Sequence, residues 1–165
     1  MKHYHHLVNQ VEEITVVIKQ YVLERFEREY SLLIELPGVS AIVACVILSE
    51  IGPNVEAFQS QGNLASWAGV CPGSYESAGI KKSSHTTQGN KYLKSSLFQA
   101  GGTAGRSKDE AFHNLYARIS GRSSKMKAII ACAHKLIRII YKILSTGEHY
   151  DAKKALGLRQ QARAN

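Results

Sequence analysis

The chain has 165 residues and a mass of 18.2 kDa, the size of a single domain. Hydrophobic residues at 44% and charged residues at 21% exclude a disordered chain, and the longest apolar run, Ala41–Leu48, is too short to cross a bilayer. The first residues carry His and Glu rather than the apolar stretch of a secretory signal, and Cys45, Cys71 and Cys132 are too few and too scattered for a disulfide framework or a CxxC metal knuckle. The expectation is a soluble, intracellular protein with no membrane association.

The net charge of +8 is unevenly spread. Residues 1–36 carry four Lys/Arg against six Glu, and residues 37–76 carry three Glu and no base. Residues 77–127 hold ten Lys/Arg against two acids, and residues 128–165 hold seven against two. A positive balance gathered in one half points to a polyanion, with nucleic acid as the expected partner; solvated helix faces are the alternative. There are only two aspartates, Asp109 and Asp151. Two-metal nucleases hold their ions with several converging carboxylates, so no metal site is expected within this chain.

Along the chain, Leu7, Val11, Ile14, Ile18, Tyr21, Val22, Phe26 and Leu32 recur at helical spacing with no Gly or Pro between them. They predict one long helix over about 7–34, charged on its other side, suited to a helical connector or coiled coil. His3, His5 and His6 before it read as scattered imidazoles of a frayed end. Pro37 then stops the helix, Gly38 turns the chain, and Ser40 caps a second helix that ends at Gly52-Pro53. This is a helix–hairpin–helix-like pattern over 30–52. The hairpin either packs against the domain or holds a backbone phosphate; Ser40 in place of a second glycine, and the lack of bases over 37–76, speak for packing.

Residues 63–70 read as a short helix ending at Gly69. Residues 71–90 are rich in Gly, Ser and Thr and read as a loop long enough to be functional or mobile. Asn90 is placed to cap a helix through Tyr92, Leu93, Leu97 and Phe98, where Gly101, Gly102 and Gly105 allow close packing or a break. A helix over 109–119 buries Phe112, Leu115, Tyr116 and Ile119. After Ser123 or Ser124 comes the strongest helix, with Met126, Ile129, Ile130, Ala133, Ile137, Ile140, Tyr141 and Leu144 on its apolar face and Gly147 closing it. Residues 148–165 read as a basic, frayed tail. No segment alternates as a strand does, so the predicted class is all-α: a long N-terminal helix and a compact multi-helix domain.

Few residues carry chemistry. Gly73 to Lys81 lacks the spacing of a phosphate-binding loop, and nothing ties His85 to Ser77 in a catalytic triad. What remains is Ser77-Ala78-Gly79-Ile80-Lys81-Lys82, followed by Gly89-Asn90-Lys91. A serine in a glycine-bearing loop before a cationic run is either a nucleophile facing phosphate or a solvated loop residue.

The order of Leu36-Pro37-Gly38-Val39, Gly52, Trp67-Ala68-Gly69-Val70-Cys71-Pro72-Gly73, Glu76-Ser77-Ala78-Gly79 and Gly89-Asn90-Lys91-Tyr92-Leu93-Lys94 resembles a known family. So does a basic, apolar helix followed by Gly147-Glu148-His149-Tyr150-Asp151. The chain is similar, over about 35–151, to the C-terminal transposase domain of the bacterial insertion-sequence group 110/116/902. The resemblance implies a DNA recombinase guided by a structured RNA, with Ser77 the nucleophile that becomes transiently joined to a DNA end. It also implies a Mg²⁺-binding acidic domain, N-terminal in that family, whose residues are not found here. The expectation is therefore a fragment that does not cut DNA alone, acting in the bacterial cytoplasm at the nucleoid and self-associating through its first helix. Charge and position nominate Lys81, Lys82, Lys91 and Lys94 for nucleic-acid contacts. The alternative is a non-catalytic helix–hairpin–helix module that binds nucleic acid or only oligomerises.

Overall fold

A computed structural model describes residues 1–71, 75–77, 80–83, 86 and 88–161, with residues 2, 75–77, 80–83 and 157–161 described through their backbone alone. The elements in order are α1 (Lys2–Ile34), α2 (Ala41–Ile51), α3 (Gln61–Trp67), β1 (Tyr75–Ser77), β2 (Ile80–Ser83), α4 (Lys91–Arg106), α5 (Glu110–Arg122), α6 (Lys125–Thr146) and α7 (Ala152–Gln161). The class is all-α as expected, interrupted by one short hairpin. No helix of the described residues is long and apolar enough to cross a membrane.

Helix α1 is two pieces. Phe26 leaves helical geometry (φ −137°, ψ 35°), so the 33-residue element is kinked there. Before the kink, Leu7, Val11, Ile14, Ile18 and Tyr21 are all exposed; from Val22 onward Tyr30, Leu32 and Leu33 enter the core. The expected continuous helix is thus an unpartnered arm followed by a docked segment.

Capping chemistry sets the remaining boundaries. Ser40 accepts from the Val43 N–H (3.3 Å) to start α2, and Ser60 from the Asn63 N–H (3.2 Å) to start α3. Asp109 accepts from the Phe112 N–H (3.2 Å) at α5, and Ser124 from the Lys127 N–H (3.3 Å) at α6. Gly147 ends α6 in the left-handed conformation, φ 68°, donating to the Ile143 carbonyl. The tail expected to fray forms α7 instead. Asp151 accepts from the N–H groups of Lys153 and Lys154, and Ala155 is buried at its first turn. A capping aspartate followed by good helix formers is sufficient local reason.

Helix α6 is the centre. It packs against α1, α3, α4 and α5, and Ala128, Cys132, Ala133, Leu136, Ile137 and Ile140 are fully buried. The single apolar stripe read from sequence is therefore too narrow: Ala128, Cys132, Leu136, Ile139 and Ile143 are also buried, while Met126 is exposed. A helix enclosed by several neighbours needs apolar residues on more than one face. Burial pushes the Cys132 thiol up to about 11, as suits a small core residue.

Helix α4 meets α6 backbone to backbone. A Cβ on Gly101 would lie 2.7 Å from the Ala133 amide nitrogen, and one on Gly105 would strike the Tyr116 ring. Gly101 and Gly105 thus serve close packing, and the helix runs unbroken to Arg106. On its other side, Gly38 (φ 81°) presses against the Ala100 carbonyl, which seats the α1–α2 turn on α4. Gly101→Ala should lower unfolding free energy by about 1–2 kcal/mol, because overpacking outweighs helix propensity. Gly121→Ala, in a helix with open space around it, should raise stability by about 0.5 kcal/mol. Urea denaturation of both variants reads these opposite signs.

Candidate functional site

Most of the residues singled out from sequence fall in or beside the segment between α3 and α4. Gly69 (φ 71°) turns the chain out of α3, with its N–H donating to the Ser66 carbonyl (3.0 Å). The segment returns at Gly89-Asn90, where the Asn90 N–H donates to the Trp67 carbonyl at 3.0 Å. Gly89 lies so close to the Gly69 and Trp67 backbone that a Cβ would overlap both. The two ends of this segment, at 67–69 and 89–90, are therefore in direct contact and form a closed neck.

Within the expected loop, β1 and β2 pair antiparallel in the register Tyr75↔Ser83, Glu76↔Lys81 and Ser77↔Ile80, with an irregularity between Tyr75 and Glu76. Ser77 thus occupies the last paired position before the chain reverses, and Lys81 and Lys82 lie on the returning strand. The side chains of Ser77, Lys81 and Lys82 lie outside the described residues, as do Ala78 and Gly79 between the strands. Three- and four-residue strands rich in Ser and Lys carry no hydrophobic alternation, which is why composition read this stretch as loop.

Asn90 holds the neck. Its Oδ1 accepts from the N–H groups of Tyr92 and Leu93 (both 3.0 Å), the cap expected for α4. Its Nδ2 donates to the Glu50 carboxylate near the end of α2, a contact forty residues away in sequence. One amide side chain therefore joins α2 to α4, while its main chain joins α4 to α3. Glu50 was not legible from the sequence, since only a fold in hand brings it to Asn90.

The bases beyond the neck divide by use. Lys91 is exposed with its ammonium 4.9 Å from the Tyr92 ring, and Lys94 lies 5.9 Å from the Phe98 ring. Lys135, by contrast, is structural: its Nζ donates to the Ala111 carbonyl (2.9 Å), and burial pulls its pKa down against the pull of Asp109. Arg138 donates from Nε to Gln61 Oε1 (3.1 Å) at the start of α3 and is near enough to Cys71 to oppose the rise that burial imposes on that thiol. His134 is held down by burial and then by Arg138. The positive half of the chain thus reaches the loop through Arg138 and through Lys91 and Lys94.

The carboxylates do not gather. Asp109 caps α5 and accepts from the Tyr150 hydroxyl at 2.9 Å, which with burial holds that phenol well above its usual range. Asp151 caps α7. Among the described residues no three His, Cys, Asp or Glu side chains converge as metal ligands.

Asn90→Asp tests the neck. The aspartate keeps both α4 cap acceptors but sets a second carboxylate against Glu50, which raises the folded-state pKa of the pair. The stabilisation is then fully present below the ordinary carboxylate range and lost as pH rises from there through the raised pKa. The variant should be about 2 kcal/mol less stable than the parent at pH 7 and should regain most of that near pH 4. Thermal unfolding followed by circular dichroism across that range measures it.

Comparison with known proteins bears on what such a loop serves. The family model described as "Transposase IS116/IS110/IS902 family" matches residues 30–117, which include the docked end of α1, the α1–α2 turn, the neck and the hairpin. Pilin gene-inverting proteins from Moraxella bovis and Moraxella lacunata are each 32% identical over 127 residues, covering 74% of this chain and 39% of theirs. The chain therefore spans about two fifths of the length of these relatives.

Proposed function

The chain belongs to the IS116/IS110/IS902 transposase family, and from that premise we propose that it is the part of a DNA transposase that offers a serine nucleophile, Ser77, to a DNA phosphodiester. The observation that carries this reading is the closed neck. It holds together the two ends of the segment that carries the hairpin, in which Ser77 is the last paired residue of β1, and Lys91 and Lys94 follow directly on the first turn of α4. Inversion of a pilin gene, named for the Moraxella relatives, likewise requires DNA strands to be broken and rejoined.

In the proposed step the Ser77 oxygen attacks phosphorus, one P–O bond to a deoxyribose leaves, and the serine proton goes to solvent or to the leaving oxygen. The number of phosphoester bonds is unchanged, so the broken bond's energy is kept for rejoining. Lys81, Lys82, Lys91 and Lys94 attract the backbone and stabilise charge on its oxygens. The two aspartates serve as helix caps, and among the described residues no three His, Cys, Asp or Glu side chains converge. We place any Mg²⁺ of the reaction, and hence strand cleavage, on residues outside this chain acting together with it, in the cytoplasm at the nucleoid. A structured guide RNA is the second polyanion proposed for the same basic face.

Binding to duplex DNA and to structured RNA across a salt series tests the basic face. Each phosphate contact contributes about −0.9 to the log–log slope on duplex DNA, so changing the four lysines to Ala should flatten it by about 3.6. No binding at low salt contradicts the reading. In the full-length context Ser77→Ala should abolish strand cleavage and leave DNA affinity within about twofold, a loss of one reacting group rather than of binding.

The exposed arm is proposed to pair with a second copy. Leu7, Val11, Ile14, Ile18 and Tyr21 repeat at alternating four- and three-residue steps, the seam of a coiled coil, and all are open to solvent. Light scattering should give a dimer or higher species. Ile14→Glu with Ile18→Glu should give a monomer that stays helical, since neither residue contributes to the core.

A further inference from the structure

Trp67 is the chain's single tryptophan. It ends α3 at the neck of the loop, and its side-chain surroundings are unusual for so large an apolar residue. The residue is 39% exposed although Ala65, Ala68 and Val70 around it are fully buried. Its indole is braced by Phe58, ring centroids 5.3 Å apart and tilted at 57°. Phe58 is itself fixed, its carbonyl accepting from the Tyr141 hydroxyl (3.1 Å) and its N–H donating to the Val55 carbonyl (2.9 Å). The Trp67 carbonyl is held by the Asn90 N–H, one residue before exposed Lys91. At the other end of α3, Arg138 is bonded to Gln61 and lies near Cys71. An open, braced indole on a short helix bonded to Arg138 at its start and to the residue before Lys91 at its end has the makeup of a stacking platform for bases on a tracked phosphate backbone.

We propose that Trp67 is a nucleobase-stacking site: an unpaired base of a bound DNA strand lies on its indole while Lys91 and Arg138 attract the flanking phosphates. The inference rests on the nucleic-acid reading above and adds to it a preference for DNA with an unpaired base, because a base within a duplex has both of its faces covered by neighbours. Stacking is indifferent to base identity, so the site selects strand state and not sequence.

As the only tryptophan, Trp67 reports on itself. The chain is titrated at low salt with a single-stranded oligothymidine and, separately, with a blunt duplex of equal length, each end-labelled so that anisotropy measures binding independently of tryptophan emission. The expected result is strong quenching of emission by the oligothymidine, in step with anisotropy and reversed by salt, with much weaker quenching by the duplex. Trp67→Phe should retain most of the single-strand affinity. Trp67→Ala should lose roughly tenfold or more with little change for duplex. Binding by anisotropy with unaltered emission overturns the stacking site and leaves the nucleic-acid reading standing. Equal quenching by both DNAs overturns the preference for unpaired bases. Absence of any binding at low salt overturns both proposals together.

Discussion

Close backbone approach at glycine is the constraint on which the rest of the structure depends. Three contacts matter: Gly101 of α4 against Ala133 of α6, Gly38 of the α1–α2 turn against Ala100 of α4, and Gly89 against the end of α3. Each brings two main chains nearer than any side chain permits, and each helps to seat the same element. Helix α4 is thereby seated on the central helix, covered by the turn, and aligned at its start with the neck of the loop. The caps and the apolar burial then stabilise an arrangement that the glycines make sterically possible.

From that arrangement follows the way the loop is presented. A hairpin this short does not hold itself in place, since two isolated strands are marginal in water. Its placement comes from the neck, where Asn90 links α2, α3 and α4 through its side chain and its main chain. The hairpin thus extends from a base fixed by hydrogen bonds. A serine offered to a phosphodiester benefits from such a base, because positioning of the reacting atoms is a large share of what a catalytic chain supplies.

Much of this was legible in the residues themselves. Ser40, Asn90 and Gly147 act as caps where local chemistry predicted them, and Pro37-Gly38 turns the chain where expected. The glycines of α4 were legible as permitting either contact or a break, and only the position of α6 decides for contact. Three features were not legible. The kink at Phe26 has no Gly or Pro to mark it. The hairpin lacks apolar alternation, and the Glu50–Asn90 link spans forty residues with no local signal. Of the candidate site, Lys91 and Lys94 are found beside the neck, while the proposed role of Ser77 comes from family membership and the register of its strand.

The central claim is that nucleic acid engages the face formed by the neck, the hairpin and the start of α4. Amide hydrogen exchange of the chain, free and saturated with DNA at low salt, addresses it most directly. The account predicts added protection over residues 75–94 and at the end of α3, with exchange of residues 7–21 unchanged by DNA at a fixed oligomeric state. Protection confined to the arm or to α7, with none at the hairpin or neck, would contradict it.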